Sequence, residues 1–228
     1  MFCMIKLQDV SKSYYLGEEE VKAVHNVSFE IKEKEYVSIL GSSGSGKSTL
    51  MYLIGLLEQP TSGKILLDGK DVSHFSDDKL SAIRNKHVGF VFQSFNLINK
   101  FTVLENVLLP TRYAKTKIDF NPQKRADALL KRLGIYERKD FFPNKISGGE
   151  QQRVAIVRAL MMKPKIILAD EPTGNLDTKT GDEILDVLED LNKDVGVTVV
   201  LVTHEKAVAD RTKRKIYMRD GNMVDKYL

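Results

Sequence analysis

Residues 41–49 read Gly41-Ser42-Ser43-Gly44-Ser45-Gly46-Lys47-Ser48-Thr49, and this string leaves the chain few folds to choose from. It fits G-x-x-x-x-G-K-[ST], a loop whose successive backbone N–H groups wrap a phosphate. Three glycines give the backbone the freedom to do so. The apolar run Tyr36–Leu40 ahead of it reads as a strand, and Leu50, Leu53, Ile54 and Leu57 behind it follow helical spacing. A flexible Gly/Ser linker would not sit between a buried strand and a helix. The helix starting near Lys47 adds its positive end, worth up to about 2 kcal/mol per phosphate charge. Lys47 would reach the β and γ phosphates of a nucleotide, and the Ser48 hydroxyl would ligate Mg²⁺.

At 228 residues a chain buries about 70% of its unfolded surface, enough for one sizeable core. Hydrophobic content of 42% and charged content of 29% are ordinary. A net charge of +4 is too small to argue for nucleic acid. One cysteine, Cys3, rules out an internal disulfide framework and suits a reducing compartment. The start, Met1-Phe2-Cys3-Met4-Ile5, is broken by Lys6 and Asp9 before it can form a signal-peptide core. No apolar run approaches the length of a membrane span.

Along the chain, residues 2–10 and 21–40 alternate like strands, with Gly17-Glu18-Glu19-Glu20 as a polar turn. Pro60-Thr61-Ser62-Gly63 marks another turn, and residues 65–72 read as a hairpin around Asp68-Gly69. Val88–Phe92 is a short buried strand ending at Gln93. From about 94 to 163 the pattern turns helical, through Leu104, Val107 and Leu108, then Ala126, Leu129, Leu130 and Leu133. Pro110, Pro122 and Pro143 are the expected breaks. Ile166–Asp170 and Thr198–Thr203 are apolar runs of the kind found in parallel strands covered on both faces. Ile184, Leu185, Leu188 and Leu191 place a helix between them, and an Asp220-Gly221 hairpin closes the chain.

Two further stretches carry chemistry. Four apolar residues precede Asp170 and Glu171, which therefore emerge at the carboxyl end of a strand, where α/β sheets bind ligands. Asp170 suits the holding of Mg²⁺, and Glu171 suits polarising a water, a role worth roughly 10²–10⁴-fold in rate. Ile146-Ser147-Gly148-Gly149-Glu150-Gln151-Gln152-Arg153 opens a helix with the apolar stripe Val154, Val157, Leu160 and Met161. Ser147 and Glu150 have capping-box spacing. Capping does not explain Gly148-Gly149, each costing about 1 kcal/mol in a helix against alanine. Two bare glycines at a helix start let an anion approach the N–H groups.

With these motifs the chain resembles an ATP-binding cassette (ABC) ATPase subunit, over nearly its whole length. The family signature is Leu-Ser-Gly-Gly-Gln; here Ile146 and Glu150 replace the first and last residues and Ser147-Gly148-Gly149 is intact. The resemblance implies an α/β P-loop NTPase fold with a mixed β core, an antiparallel β subdomain and a helical subdomain. It implies a single domain over 1–228, with residues 1–93 and 164–228 as core plus β subdomain and 94–163 as the helical part bearing the signature. ATP and Mg²⁺ are the implied cofactors. ATP would be held by Gly41, Ser42, Ser43, Gly44, Ser45, Gly46, Lys47, Ser48 and Thr49. Ser147, Gly148, Gly149 and Glu150 would bind the γ-phosphate carried by a second subunit, so that two copies close head to tail over two ATP molecules. Tyr14 matches the aromatic that stacks on adenine, with Tyr15 adjacent and the choice resting on spacing. Gln93 matches the glutamine that touches Mg²⁺ and the attacking water. Asn175-Leu176-Asp177 matches the loop whose aspartate crosses the dimer interface, and His204 matches the histidine on the γ-phosphate. His25, His74 and His87 match nothing and read as surface residues. Glu171, His204, Gln93 and Lys47 would be catalytic, with Ser48, Gln93 and Asp170 around the metal.

Residues 14–19, 80–85 and 88–98 resemble one branch of the family. It holds macrolide-exporter, lipoprotein-release and antimicrobial-peptide-resistance ATPases, with the cell-division ATPase as a cousin. The implied partner is a separate integral-membrane permease, with or without an extracytoplasmic adaptor. The expected place is cytoplasmic, on the inner face of the cell membrane through that permease. Residues 94–98 and 101–104 are the expected groove for its coupling helix. A cassette ATPase acting on DNA or ribosomes is the rival; a second cassette, a long coiled coil or a zinc module would mark it, and this sequence carries none. Arg211-Thr212-Lys213-Arg214-Lys215 reads as a solvated connector rather than a nucleic-acid patch. Asn192-Lys193-Asp194 lacks the spacing that reads guanine, so a GTPase is excluded.

Overall fold

The computed structural model describes residues 3–226, excepting the side chains of Cys3 and Leu16; Met1 and Phe2 of the apolar start lie outside it. The residues gather into two compact units, 1–81 with 198–228, and 82–197.

In the first unit, β1 (Cys3–Leu16) and β2 (Glu19–Lys32) pair antiparallel across the two-residue turn Gly17-Glu18. Both strands run right up to the turn, so Glu19 and Glu20 are strand residues opposite Leu16 and Tyr15. Gly17 has φ +66, the conformation a tight hairpin needs, and a two-residue turn leaves its flanks free to pair. The expected strand 21–40 is also split. Lys34 (φ 62) turns the chain, and the Glu35 carboxylate accepts from the Lys32 N–H at 2.8 Å. β4 (Ser62–Leu67) and β5 (Lys70–Asp71) form the expected hairpin across Asp68-Gly69, both left-handed, giving a sheet ordered β2-β1-β4-β5.

β3 (Tyr36–Leu40) lies parallel between β8 (Thr198–Thr203) and β9 (Arg214–Arg219). β10 (Asn222–Val224) returns antiparallel on β9 across Asp220-Gly221. Every residue of β3 and β8 is buried, which is why they read as continuous apolar runs. α1 (Lys47–Ile54) follows β3, with Leu50, Met51, Leu53 and Ile54 buried. Gly55 ends it, so Leu57 falls outside the helix and is exposed. Part of the basic run is consumed inside this unit. Arg214 reaches the Glu30 carbonyl and the Glu35 carboxylate, and Lys215 reaches Asp210 at 3.2 Å.

The chain passes between the units within α2 (Asp77–His87), a helix the sequence pattern does not announce because Leu80 is its one buried residue. In the second unit, β6 (Val88–Phe92) and β7 (Ile166–Asp170) pair parallel. Around them stand α3 (Val103–Arg112), α4 (Pro122–Arg132), α5 (Gly148–Leu160) and α6 (Thr178–Asp190). Pro122 is the first residue of α4, and Pro143 opens a 3₁₀ turn. Pro110, expected as a break, lies inside the last turn of α3. There it forfeits a single N–H bond, and the Asn85 side-chain amide donates to its carbonyl at 2.9 Å. Past α6 the chain continues through Leu191–Val195 as one π turn, ended by Gly196 at φ 72. Among the described residues, no helix is long and apolar enough to cross a membrane.

Candidate functional site

In the first unit, Leu40 pairs with Thr203, and the Gly41 N–H donates to the Thr203 carbonyl at 3.4 Å. The glycine-rich loop 41–49 therefore begins against the end of β8, and exposed His204 is the next residue along. A β-carbon at Gly41 would strike the Met218 carbonyl, and one at Gly46 the Ala23 carbonyl. Gly46 also needs φ +94, so alanine there is excluded on both counts. Gly46 caps α1 with no side chain, which leaves the helix start bare. Ser42, Ser43 and Gly44 are exposed, while Lys47 is 6% exposed with its ammonium donating to the Ser42 carbonyl at 2.7 Å. The Ser45 hydroxyl is buried without a hydrogen-bond partner. An uncapped helix start, the exposed stretch Ser42-Ser43-Gly44 and an ammonium folded over its own loop suit a chain of phosphates.

Tyr14 lies beside this loop. Its hydroxyl donates to Glu58 at 2.7 Å, with the Thr49 side chain nearby. Lys12 bridges to Glu58 at 2.9 Å and sits over the Tyr14 ring at 5.2 Å. Burial and the Glu58 carboxylate push the phenol upward from its ordinary value. Tyr15 points away and is 68% exposed.

In the second unit, Phe92 pairs with Asp170, so Gln93 and Glu171 are the next residues on adjacent strands. Glu171 has φ 42, a left-handed conformation that costs a non-glycine residue roughly 1–3 kcal/mol and recurs where chemistry is done. The Gln93 carbonyl accepts from the Asn175 amide at 2.9 Å, and a β-carbon at Gly174 would press on the Gln93 amide.

The expected capping box is present at α5. The Ser147 N–H donates to the Glu150 carboxylate at 2.8 Å, and the Glu150 N–H donates to the Ser147 hydroxyl at 3.3 Å. Arg138 meets the same carboxylate at 3.1 Å. Partial burial resists ionisation of Glu150, but the Ser147 N–H, Arg138 and the Ser147 hydroxyl outweigh it and hold the carboxyl below its usual range. The two glycines have a packing reason as well. A β-carbon at Gly149 would collide with the Thr180 methyl, and one at Gly148 would lie 3.3 Å from Leu176 and 3.7 Å from the Phe95 ring. Asp177 caps α6 by accepting the Thr180 N–H at 3.1 Å; the Thr180 hydroxyl and N–H lower its carboxyl. Three residues escaped sequence reasoning. Arg138 neutralises Glu150; Gln152, fully buried, donates to the Pro172 carbonyl at 2.7 Å; and Arg158 grips the loop after Gln93. The one available signal was a charged residue inside the apolar stripe of α5.

The family model described as "ABC transporter" matches residues 24–174. An uncharacterized ABC transporter ATP-binding protein, YknY of Bacillus subtilis, is 49% identical over 97% of this chain and 95% of its own length. The macrolide export ATP-binding/permease protein MacB of Chlorobaculum tepidum is 50% identical over 97% of this chain, which spans 34% of MacB's length. A dimeric, post-hydrolysis structure of an ATP-binding cassette of Methanocaldococcus jannaschii, bound to ADP and Pi, superposes with a TM-score of 0.88 at 47% identity, over 96% of both chains.

Proposed function

Because this chain belongs to the ABC transporter family and is an ATP-hydrolysing cassette, we propose that it powers a separate membrane permease by pairing with a second copy of itself over ATP. The likeness to a cassette that is dimeric with ADP and Pi, across 96% of both chains, carries the reading. The MacB likeness supports a permease of the macrolide or antimicrobial-peptide export or lipoprotein-release kind. Ile98, 43% exposed on a loop that Asn106 braces, supports a docking groove over residues 94–98 and 101–104.

Each residue has a role in this reading. The loop Gly41–Thr49 holds the phosphates, and Lys47 exchanges the Ser42 carbonyl for them. Tyr14 stacks on adenine; its tether to Glu58 favours it over exposed Tyr15. Ser48, Asp170 and Gln93 would hold the Mg²⁺ that accompanies a nucleotide, an ion that keeps few protein ligands. When bound, that ion neutralises charge on the β and γ oxygens. Glu171 polarises the attacking water, with His204 and Gln93 on the γ-phosphate side. The Ser147–Glu150 helix start and Asp177 serve the partner's nucleotide. Hydrolysis in this reading depends on protein concentration.

Replacing Glu171 with Gln tests it. Turnover should fall by about 10²-fold or more, and the variant should sediment as a dimer in ATP and a monomer without. A variant that still turns over removes Glu171 from its role, and one that never dimerises removes the pairing. Recovery with ribosomes or DNA in place of a permease would overturn the transport reading.

A further inference from the structure

The residues just past Gln93 are bent in an unusual way. Phe95 (φ 60) and Asn96 (φ 50) are consecutive left-handed residues, and neither is glycine. Such a pair survives only where its surroundings over-determine it. Two backbone bonds lie within the loop, from the Phe95 N–H to the Phe92 carbonyl and from the Asn96 N–H to the Ser94 carbonyl, and one side chain reaches in from α5. Half-buried Arg158, from the third turn of α5, donates one guanidinium nitrogen to the Phe95 carbonyl at 2.8 Å and another to the Asn96 carbonyl. A planar guanidinium delivers two fixed parallel donors, which an ammonium cannot. The Phe95 ring in turn lies 3.7 Å from where a β-carbon on Gly148 would stand, against the first turn of the same helix. The loop after Gln93 is thus pinned to α5 at both ends of that helix.

We propose that Arg158 is a positioning residue for ATP hydrolysis: its fork holds the Phe95-Asn96 bend, and through it fixes Gln93 relative to the Gly148-Gly149 helix start. This rests on the reading of Gln93 and the glycine pair given above. Its consequence is mechanical. A partner pressing on residues 94–98 moves α5 as one piece with the loop, so permease contact and the signature helix share one linkage inside residues 82–197. The other group that fixes this segment, the Asn175 amide on the Gln93 carbonyl, comes from the loop before α6 and would keep Gln93 attached to that loop alone.

Arg158→Met removes the fork and keeps the stem; Arg158→Lys keeps the charge and loses the geometry. Both should lower kcat roughly ten- to a hundredfold, the scale of a small misplacement, with the KM for ATP little changed. A role in folding alone predicts the same loss. The deciding step is therefore Asn96→Gly in each background. Glycine takes the left-handed bend without strain, so it should recover severalfold of the lost kcat while leaving the melting temperature of the Arg158 variants low. Amide exchange at residues 95–98 should quicken in Arg158→Met and slow again in the double variant. If Asn96→Gly rescues nothing, or if Arg158→Lys keeps full kcat, the proposal is wrong. If the unaltered protein's turnover does not depend on Glu171, it is the underlying site reading that has failed, and the Arg158 series then measures only stability.

Discussion

Alanine at position 149 puts two opposing effects in one place. In a helix interior glycine costs about 1 kcal/mol against alanine, so propensity alone says Gly149→Ala stabilises. The added β-carbon, however, would collide with the Thr180 methyl on α6. Overpacking of this kind costs about 1–3 kcal/mol, so the net expectation is a loss of up to about 2 kcal/mol, several degrees of Tm for a chain of this size. In a Thr180→Ser background the offending methyl is gone, and the next atom, the residue 180 β-carbon, stands at an ordinary 3.8 Å. There the same substitution should be neutral or slightly stabilising. The Asp177 cap is kept, because serine at 180 retains both the backbone N–H and the hydroxyl that serve it. Urea and thermal unfolding of the four proteins close a double-mutant cycle. An equal loss in both backgrounds would refute the packing account of Gly149. The repaired double variant also separates the two reasons for the glycine: if it folds well but no longer dimerises on ATP, the bare N–H approach is needed in its own right.

Tyr14→Ala should weaken ATP binding by about 1–3 kcal/mol, the value of one aromatic–base stack, whereas Tyr15→Ala should leave it unchanged; titration with a fluorescent nucleotide decides between them, and the reverse result would exchange their roles. The Glu150 carboxyl is held below its ordinary value of 4.5, so its contribution to stability is present above that pH and is lost as pH falls through the lower folded value. Acid unfolding should therefore lose a component in Glu150→Gln. Arg138→Ala should bring the component to higher pH, and an unmoved acid limb would show that the pair does not couple to folding.

Much of this architecture could be read ahead of the coordinates because its signals are local. Ile166–Asp170 and Thr198–Thr203 match their strands at both ends, since strands covered on both faces show as unbroken apolar runs. The hairpins at Asp68-Gly69 and Asp220-Gly221 were equally plain, because those turns demand residues that tolerate positive φ. The capping box at Ser147 announced the start of α5. What stayed hidden depends on contacts distant in sequence. α2 has one buried residue and so no stripe. Pro110 in α3 looked like a stop because proline has no N–H for the helix ladder, and nothing local shows that the helix ends two residues later, where a single bond is lost. The glycine pair was read as an opening for an anion, and only the presence of Thr180 and Leu176 shows that a side chain would also collide at 149 and be tightly packed at 148. Arg138 and Arg158 could not be assigned because a guanidinium's partners are three-dimensional facts.

The closing hairpin reaches back to the phosphate loop: the Gly221 N–H donates to the Ser45 carbonyl at 3.1 Å, and the Gly221 carbonyl accepts from His25 at 2.8 Å. A chain made from its amino end therefore has residues 41–49 in hand early but lacks this brace for them until residue 221 has been added. The loop after β3 is translated early and tied down late, once the strands between it and the closing hairpin have been made.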